Sequence, residues 1–500
     1  MQEKFDTLKS KLVQIQNVNV SSALLNWDQQ VYMPPGGAAA RAEQIATLDK
    51  IAHEMFTTDE IGELLSELSD ADFDVNSDEA CLIRVARRDY DKARKLSPEL
   101  VTEMSRTFSL GQRIWEQARE AKSFAQFREI LTKIVDLNIQ KAEAFGYEDC
   151  IYDSLLDEYE PDMKTVDLNR VFDQLKAGLV PLVRAIADQD KRVDASCLQQ
   201  DFDETVQWDF GIVALKAIGF DFERGRQDRS VHPFTTSFSI HDVRVTTRIF
   251  KDMFSSGFFG TLHEGGHALY EQNVSPELEG TLLASGTSLG VHESQSRLWE
   301  NVVGRSRPFW QYYYRQLQDF FPGQLQAVSL NEFFRAINKV QPSFIRVEAD
   351  EVTYNLHIFV RFELEQALVS QKLKVADLPD AWNAKMDEYL GLTPTDDTLG
   401  VLQDVHWSSG LIGYFPTYAL GNVLSLQFYN QSLKDIPELP EQFARGEFGP
   451  LLEWFKEKIH RHGRKFTANE LVERLTGSPS IEAAPYLNYI QRKFSEIYDL

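Results

Sequence analysis

Apolar side chains recur every three to four residues through most of this 500-residue chain, and that spacing restricts it to a mostly helical fold. Phe5, Leu8, Leu12 and Ile15 set the pattern, which returns in Phe359 to Val369 and in Leu451 to Ile459. Breaks fall at Met33-Pro34-Pro35-Gly36-Gly37, around Asp70 to Ser77, at Glu160-Pro161 and at Thr393-Pro394. None is a long Gly/Ser- or Pro-rich linker, and no repeat of fixed period is visible. The pattern therefore predicts one large helical domain over residues 1–500. One window departs from it. Between Phe234 and Ile249, residues Thr235, Thr236, Phe238, Ile240, Val243, Val245, Thr246 and Thr247 predict a small β ribbon whose edge could pair with an extended peptide.

A hydrophobic content of 43% over this length is ample for a buried core. The 76 acidic against 52 basic residues give a formal charge of -24, which argues against nucleic acid or an anionic membrane surface as partner. Cys81, Cys150 and Cys197 are far apart and form no CxxC pair, so neither a disulfide framework nor a thiolate metal site is expected. The N-terminal MQEKFDTLKSKLVQIQ mixes charges into every turn, unlike a secretory leader. No stretch reaches the roughly 18 apolar residues of a membrane span. These features predict a cytoplasmic protein.

The ribbon ends shortly before His263-Glu264-Gly265-Gly266-His267, an HExxH sequence. Histidines four apart on a helix project from one face, so both imidazoles reach a single metal ion. Glu264, beside the first histidine, is placed to take a proton from an attacking water, the arrangement of a zinc peptidase. Gly265 and Gly266 each cost about 1 kcal/mol relative to Ala in a helix, and their smallness admits a neighbouring segment or a substrate. The bland alternative is a surface helix carrying two spaced histidines.

A catalytic zinc ordinarily takes three protein ligands and keeps one open position. Glu293, in His292-Glu293-Ser294-Gln295, lies 26 residues beyond His267, far enough for a second helix to return beside the first. Glu271, Glu277, Glu279 and Glu300 compete with it. Glu271 shares the histidine face but would splay poorly around the ion, and Glu277 and Glu279 flank Pro276 in a turn. The i, i+4 spacing of Glu293 and Arg297 also fits an ordinary helix salt bridge.

With HExxH, five further blocks carry a resemblance. They are His232-Pro233-Phe234; Asp242-Val243-Arg244-Val245-Thr246; His292-Glu293-Ser294-Gln295; Ile345-Arg346-Val347-Glu348-Ala349-Asp350; and Gly400-Val401-Leu402-Gln403-Asp404-Val405-His406-Trp407. In order and spacing they resemble the thermostable, Taq-type carboxypeptidase 1 family of metallocarboxypeptidases. Trp27-Asp28-Gln29 and Met33-Pro34-Pro35 extend the likeness to nearly the whole chain. The resemblance implies a neurolysin-like helical domain with a deep groove, a small β ribbon beside the metal helix, and a homodimer that removes C-terminal residues from peptides. It also implies His263, His267 and Glu293 as metal ligands and Glu264 as catalytic base. Zinc is the expected ion, with cobalt or manganese as substitutes. The N-terminal helical portion, about residues 1–90, is read as a lid over the groove.

A carboxypeptidase must tell a free carboxylate from an internal amide, and a fixed cation beyond the scissile carbonyl does so. Arg346 and Arg244 are the candidates, with ion pairs to Glu348, Asp350 or Asp242 as the alternative role. The resemblance favours Arg346 for the carboxylate and Arg244 for cleft architecture or recognition. A developing oxyanion also needs hydrogen-bond donors. His406, Tyr414 and Tyr418 suit that need; related helical metallopeptidases favour His406 with Tyr418, leaving Tyr414 to contact substrate. Plain core packing is the other reading of either tyrosine. His232 and His241 read as local hydrogen-bonding residues, His357 as facing either groove or core, and Trp299 and Trp407 as packing around the site. The rival functions are a helical zinc oligopeptidase or dipeptidyl carboxypeptidase, and a noncatalytic metal-binding scaffold.

Overall fold

A computed structural model describes residues 1–189 and 193–500. The first four helices, Gln2–Val31, Ala38–Phe56, Asp59–Leu68 and Asp78–Lys95, form a module with an apolar cluster of their own. Phe5, Leu8, Leu12 and Ile15 are all buried in it, as their spacing predicts, alongside Ile61, Leu65 and Leu82. Full burial of each such leucine or isoleucine contributes about 1.5–3 kcal/mol. The third and fourth helices start on capping hydroxyls, Thr58 accepting from Ile61 N and Ser77 from Ala80 N, with acidic residues in the first turn of each. Ile240, Val274, Leu278 and Leu283 from the rest of the chain complete this apolar cluster.

The expected ribbon is a three-stranded sheet of β1 (Gly225–Arg229), β2 (Thr235–Ser239) and β3 (Asp242–Thr247) in the order β1-β3-β2. β3 runs parallel to β1 and antiparallel to β2, with an irregularity between Ser237 and Ser239. β2 is thus an edge. The buried face of β3 packs on the helix Phe254–Gln272, which carries HExxH, and Thr247 shares a 3.0 Å hydroxyl contact with Thr261 on that helix. The other face meets the N-terminal module. There the Arg244 guanidinium lies 4.3 Å from the centre of the Trp27 ring and 4.9 Å from that of Phe238. Arg226 approaches Trp27 and Tyr32, and the Tyr32 hydroxyl donates to Asp228.

The HExxH helix is buried nearly all round, as a helix at the centre of a large core must be. Phe254 and Phe258 stack together, and Phe258 meets Trp310. Beside it lies Leu289–Arg297, capped by Ser288 and continued by a wider π-helical segment, Leu298–Val303. The helix Pro416–Asp435 covers the far side. Among the described residues, no helix is long and apolar enough to cross a membrane.

Fully buried Glu160 braces the start of the Leu289–Arg297 helix by accepting from Gly290 N. Burial pushes its carboxyl up to about 8, with Ser288 and Gly290 opposing. The folded chain therefore holds a proton that the unfolded chain releases above the ordinary glutamate value. Stability from this group is complete below that value and is lost as pH rises through about 8. Glu160→Gln should flatten the decline in unfolding free energy, from denaturant titrations, between about pH 5 and about pH 8.5, by up to about 1.4 kcal/mol per pH unit. Parallel profiles for the two proteins would contradict this.

Candidate active site

One turn of the HExxH helix separates His263 from His267, and their rings lie edge to face with centroids 5.0 Å apart. Glu293 stands opposite, its Oε2 3.5 Å from His263 Nε2 and 3.4 Å from His267 Nε2. The three ligand atoms all lie within 4.8 Å of one another. A tetrahedral ion bound at about 2.0–2.2 Å needs ligand atoms about 3.3–3.6 Å apart, so the donor set and its spacing fit a divalent metal.

Both histidines have the ring nitrogen remote from this point already occupied. His263 Nδ1 is 2.9 Å from Glu300 Oε2, and His267 Nδ1 is 2.7 Å from His292 Nδ1. His292 Nε2 is in turn 2.8 Å from Glu271 Oε1. These partners favour a proton on each Nδ1 and leave each Nε2 lone pair free for a metal. Burial lowers His267 to about 4, with Glu293 opposing, so its ring is neutral near pH 7. Burial also acts against charge on His263, but Glu293 and Glu300 outweigh it and raise that group.

Glu293 is buried, which by itself would favour its neutral form. Arg297 and the two histidines reverse that and hold it well below the usual carboxylate range. Arg297 Nε donates to Glu293 Oε1 at 2.7 Å, and its Nη1 reaches Glu300 Oε2 at 3.2 Å. The helix salt bridge foreseen for Glu293 therefore exists together with its place at the cluster. The competing glutamates have other partners. Glu300 and Glu271 support the histidines, exposed Glu277 accepts from Ser275, and Glu279 accepts from Ile240 N.

Glu264 is 6% exposed and stands beside the cluster rather than in it. Its Oε2 accepts from Thr235 Oγ1 at 2.7 Å, which ties it to the start of edge strand β2. Burial raises its carboxyl, with His263 and Thr235 opposing. Along β2, a cleft of about 420 Å³ runs past Asn17 and Val20 of the first helix to Glu271 and His292.

A second cluster gathers residues from three distant parts of the sequence. Arg346, in the short turn Arg346–Glu348, donates through Nε and Nη2 to Asp404 Oδ1 at 3.0 and 2.8 Å. Fully buried Arg361 holds Asp404 Oδ2 at 2.6 Å. The carboxylate partner of Arg346 is thus Asp404, and not Glu348 or Asp350, the nearer choices in sequence. The two arginines hold Asp404 far below the carboxylate range against its burial. His406 Nε2 is 3.2 Å from the Tyr418 hydroxyl, and the Tyr414 ring packs against both. Burial lowers His406 to about 4, with Asp404 opposing, so it is neutral near pH 7. Burial, and then the charge of Glu293, raise Tyr414, so this cluster lies within electrostatic reach of the first.

Among the described residues no contact joins Arg244 to either cluster; it pairs with Asp242 at 2.8 Å and stacks on Trp27. His357 is fully buried in the core, while His232 and His241 are exposed. Trp407 donates to buried Glu365 at 2.7 Å, and Trp299 is core. Sequence alone marks Thr235 only as a strand residue and gives Tyr354 and Arg361 no role at the site. Each owes its place there to a contact across the fold.

Helical packing and paired histidines and glutamate define this as a helical metallopeptidase. Residues 7–494 match the family described as Carboxypeptidase Taq (M32) metallopeptidase. The chain is 43% identical to thermostable carboxypeptidase 1 of Thermus thermophilus, over 95% of both chains. It is 38% identical to carboxypeptidase 1 of Bacillus subtilis, over 99% of this chain and 98% of that one. The crystal structure of the M32 carboxypeptidase from Deinococcus radiodurans superposes with a TM-score of 0.97 at 41% identity, covering all of both chains. The chain belongs to the M32 carboxypeptidase family and is a metal-dependent carboxypeptidase.

Gly266 decides whether the two halves of the first cluster can meet. A Cβ there would fall 2.4 Å from the Gln295 carbonyl oxygen, and one at Gly421 would fall 2.3 Å from Glu293 Cγ. The small residue in HExxH thus admits a neighbouring helix. Gly266→Ala should destabilise the fold by about 1–3 kcal/mol, despite the better helix propensity of alanine. An unchanged or raised melting temperature would show that the helices have room to part.

Proposed function

We propose that the protein hydrolyses C-terminal residues from peptides, with His263, His267 and Glu293 holding zinc and Glu264 acting as general base. A bound zinc ion would polarise the scissile carbonyl and acidify a water. The observation that carries the reading is the buried pairing of Arg346 and Arg361 with the single carboxylate of Asp404. One positive charge is left over, and a free substrate carboxylate would balance it. Arg346 has five N–H donors and three hydrogen bonds, so two donors stay available to the substrate.

Glu264 takes the proton of the attacking water and returns it to the departing amine. Its link to Thr235 orients the carboxylate, and burial keeps its basicity high enough for the exchange. Neutral His406 and Tyr418 donate to the carbonyl oxygen as it gains charge, and Tyr414 contacts the substrate beside them. Arg244 shapes the cleft by holding Trp27 against the sheet. The first 90 or so residues, which supply most of a separate apolar cluster, form the lid over that cleft. In keeping with the resemblance, the reading extends to a cytoplasmic homodimer, and to cobalt or manganese as ions that the same donors accept.

Glu264→Gln should keep its metal, by elemental analysis of the purified protein, while kcat falls at least about 100-fold. Near-native turnover would remove Glu264 from the role. A blocked dipeptide should be cleaved and its C-terminal amide spared, with both inert after chelation. Equal cleavage of acid and amide would end the assignment of Arg346, and release of dipeptides from a labelled peptide ladder would indicate a dipeptidyl carboxypeptidase instead.

A further inference from the structure

The two clusters are joined by one side chain with two chemically different ends. Tyr354 opens the helix Tyr354–Val369, and its backbone N–H donates to the Asp350 carbonyl at 2.9 Å. The Asp350 carboxylate also receives Val352 N, Thr353 N and Thr353 Oγ1, so the start of this helix is fixed. The Tyr354 hydroxyl accepts from Arg346 Nη1 at 3.0 Å. The ring faces Arg297, whose guanidinium lies 4.3 Å from its centre. Arg297 is the residue that holds Glu293 and Glu300. A single 6%-exposed phenol therefore touches the cation proposed to read the substrate and the cation that holds a metal-site carboxylate.

We propose that Tyr354 is a positioning residue for specificity, its hydroxyl aiming Arg346 at the substrate carboxylate while its ring steadies Arg297 behind Glu293. This rests on the assignment of Arg346 to carboxylate recognition. Asp404 grips only the Nε and Nη2 side of Arg346, and the hydroxyl fixes the remaining Nη1, which stops the guanidinium from turning about its far end. The ring contributes a cation–π contact that survives loss of the hydroxyl.

The two ends are separable by substitution. In Tyr354→Phe, KM for a blocked dipeptide acid should rise about tenfold or more while kcat falls far less, and preference for acid over amide should drop by a similar factor. Zinc affinity, measured by chelator competition on the protein without substrate, should stay unchanged. In Tyr354→Leu, which also removes the aromatic face, zinc affinity should fall about tenfold. Arg346→Gln serves as the reference for the underlying assignment. If it keeps the acid preference, carboxylate recognition by Arg346 fails and the role of Tyr354 fails with it. If Arg346→Gln loses that preference and Tyr354→Phe keeps it, the assignment of Arg346 stands and the positioning role alone is overturned. Should Tyr354→Leu not fold, Tyr354→Phe still decides the specificity half. A loss of zinc affinity in Tyr354→Phe equal to that in a folded Tyr354→Leu would overturn the division between hydroxyl and ring.

Discussion

Burial of Arg297 between Glu293 and Glu300 is the interaction on which the arrangement of the His263, His267 and Glu293 donors depends. An isolated charge there would cost several kcal/mol in desolvation, and two carboxylates without a cation between them would repel and protonate. With Arg297 in place, Glu293 stays ionised toward the histidines and Glu300 stays ionised toward His263. Arg305 approaches Glu300 from the other side at 3.7 Å, and Tyr354 covers the face of Arg297. Fixed charge, rather than apolar packing alone, sets the orientation of the donor atoms.

The two histidines are supported unequally. His263 leans directly on a carboxylate that is itself held by arginines, whereas His267 reaches Glu271 only through His292. Glu271 and His292 also line the cleft beside the edge of β2. Thr235 connects the same strand to Glu264. The small sheet therefore forms the border between the cleft and the HExxH helix.

Much of this was legible from sequence because it depends on neighbours in the chain. HExxH fixes two imidazoles on one face through helix geometry alone, and Phe5, Leu8, Leu12 and Ile15 bury as their spacing requires. β2 and β3 fall inside the window marked by β-branched and aromatic residues. β1 was not visible, since Gly225-Arg226-Gln227-Asp228-Arg229 carries no β signal and becomes a strand by pairing with β3. Glu293 was one of five candidates until the resemblance favoured it, because spacing says little about where a second helix will cross the first.

The sequence by itself determined the helical class, the histidine pair with its adjacent glutamate and, through six blocks of residues, the family. Those features are either local or carried by identity at matched positions, and both survive reading in one dimension. Only the tertiary structure decided the partners of the buried charges: Asp404 for Arg346, Glu300 for His263, Thr235 for Glu264, and Tyr354 between the two arginines. The physical reason is that a buried charge takes the partner nearest in space, and separations of 58, 37 and 29 residues are closed by helix packing that no local pattern encodes.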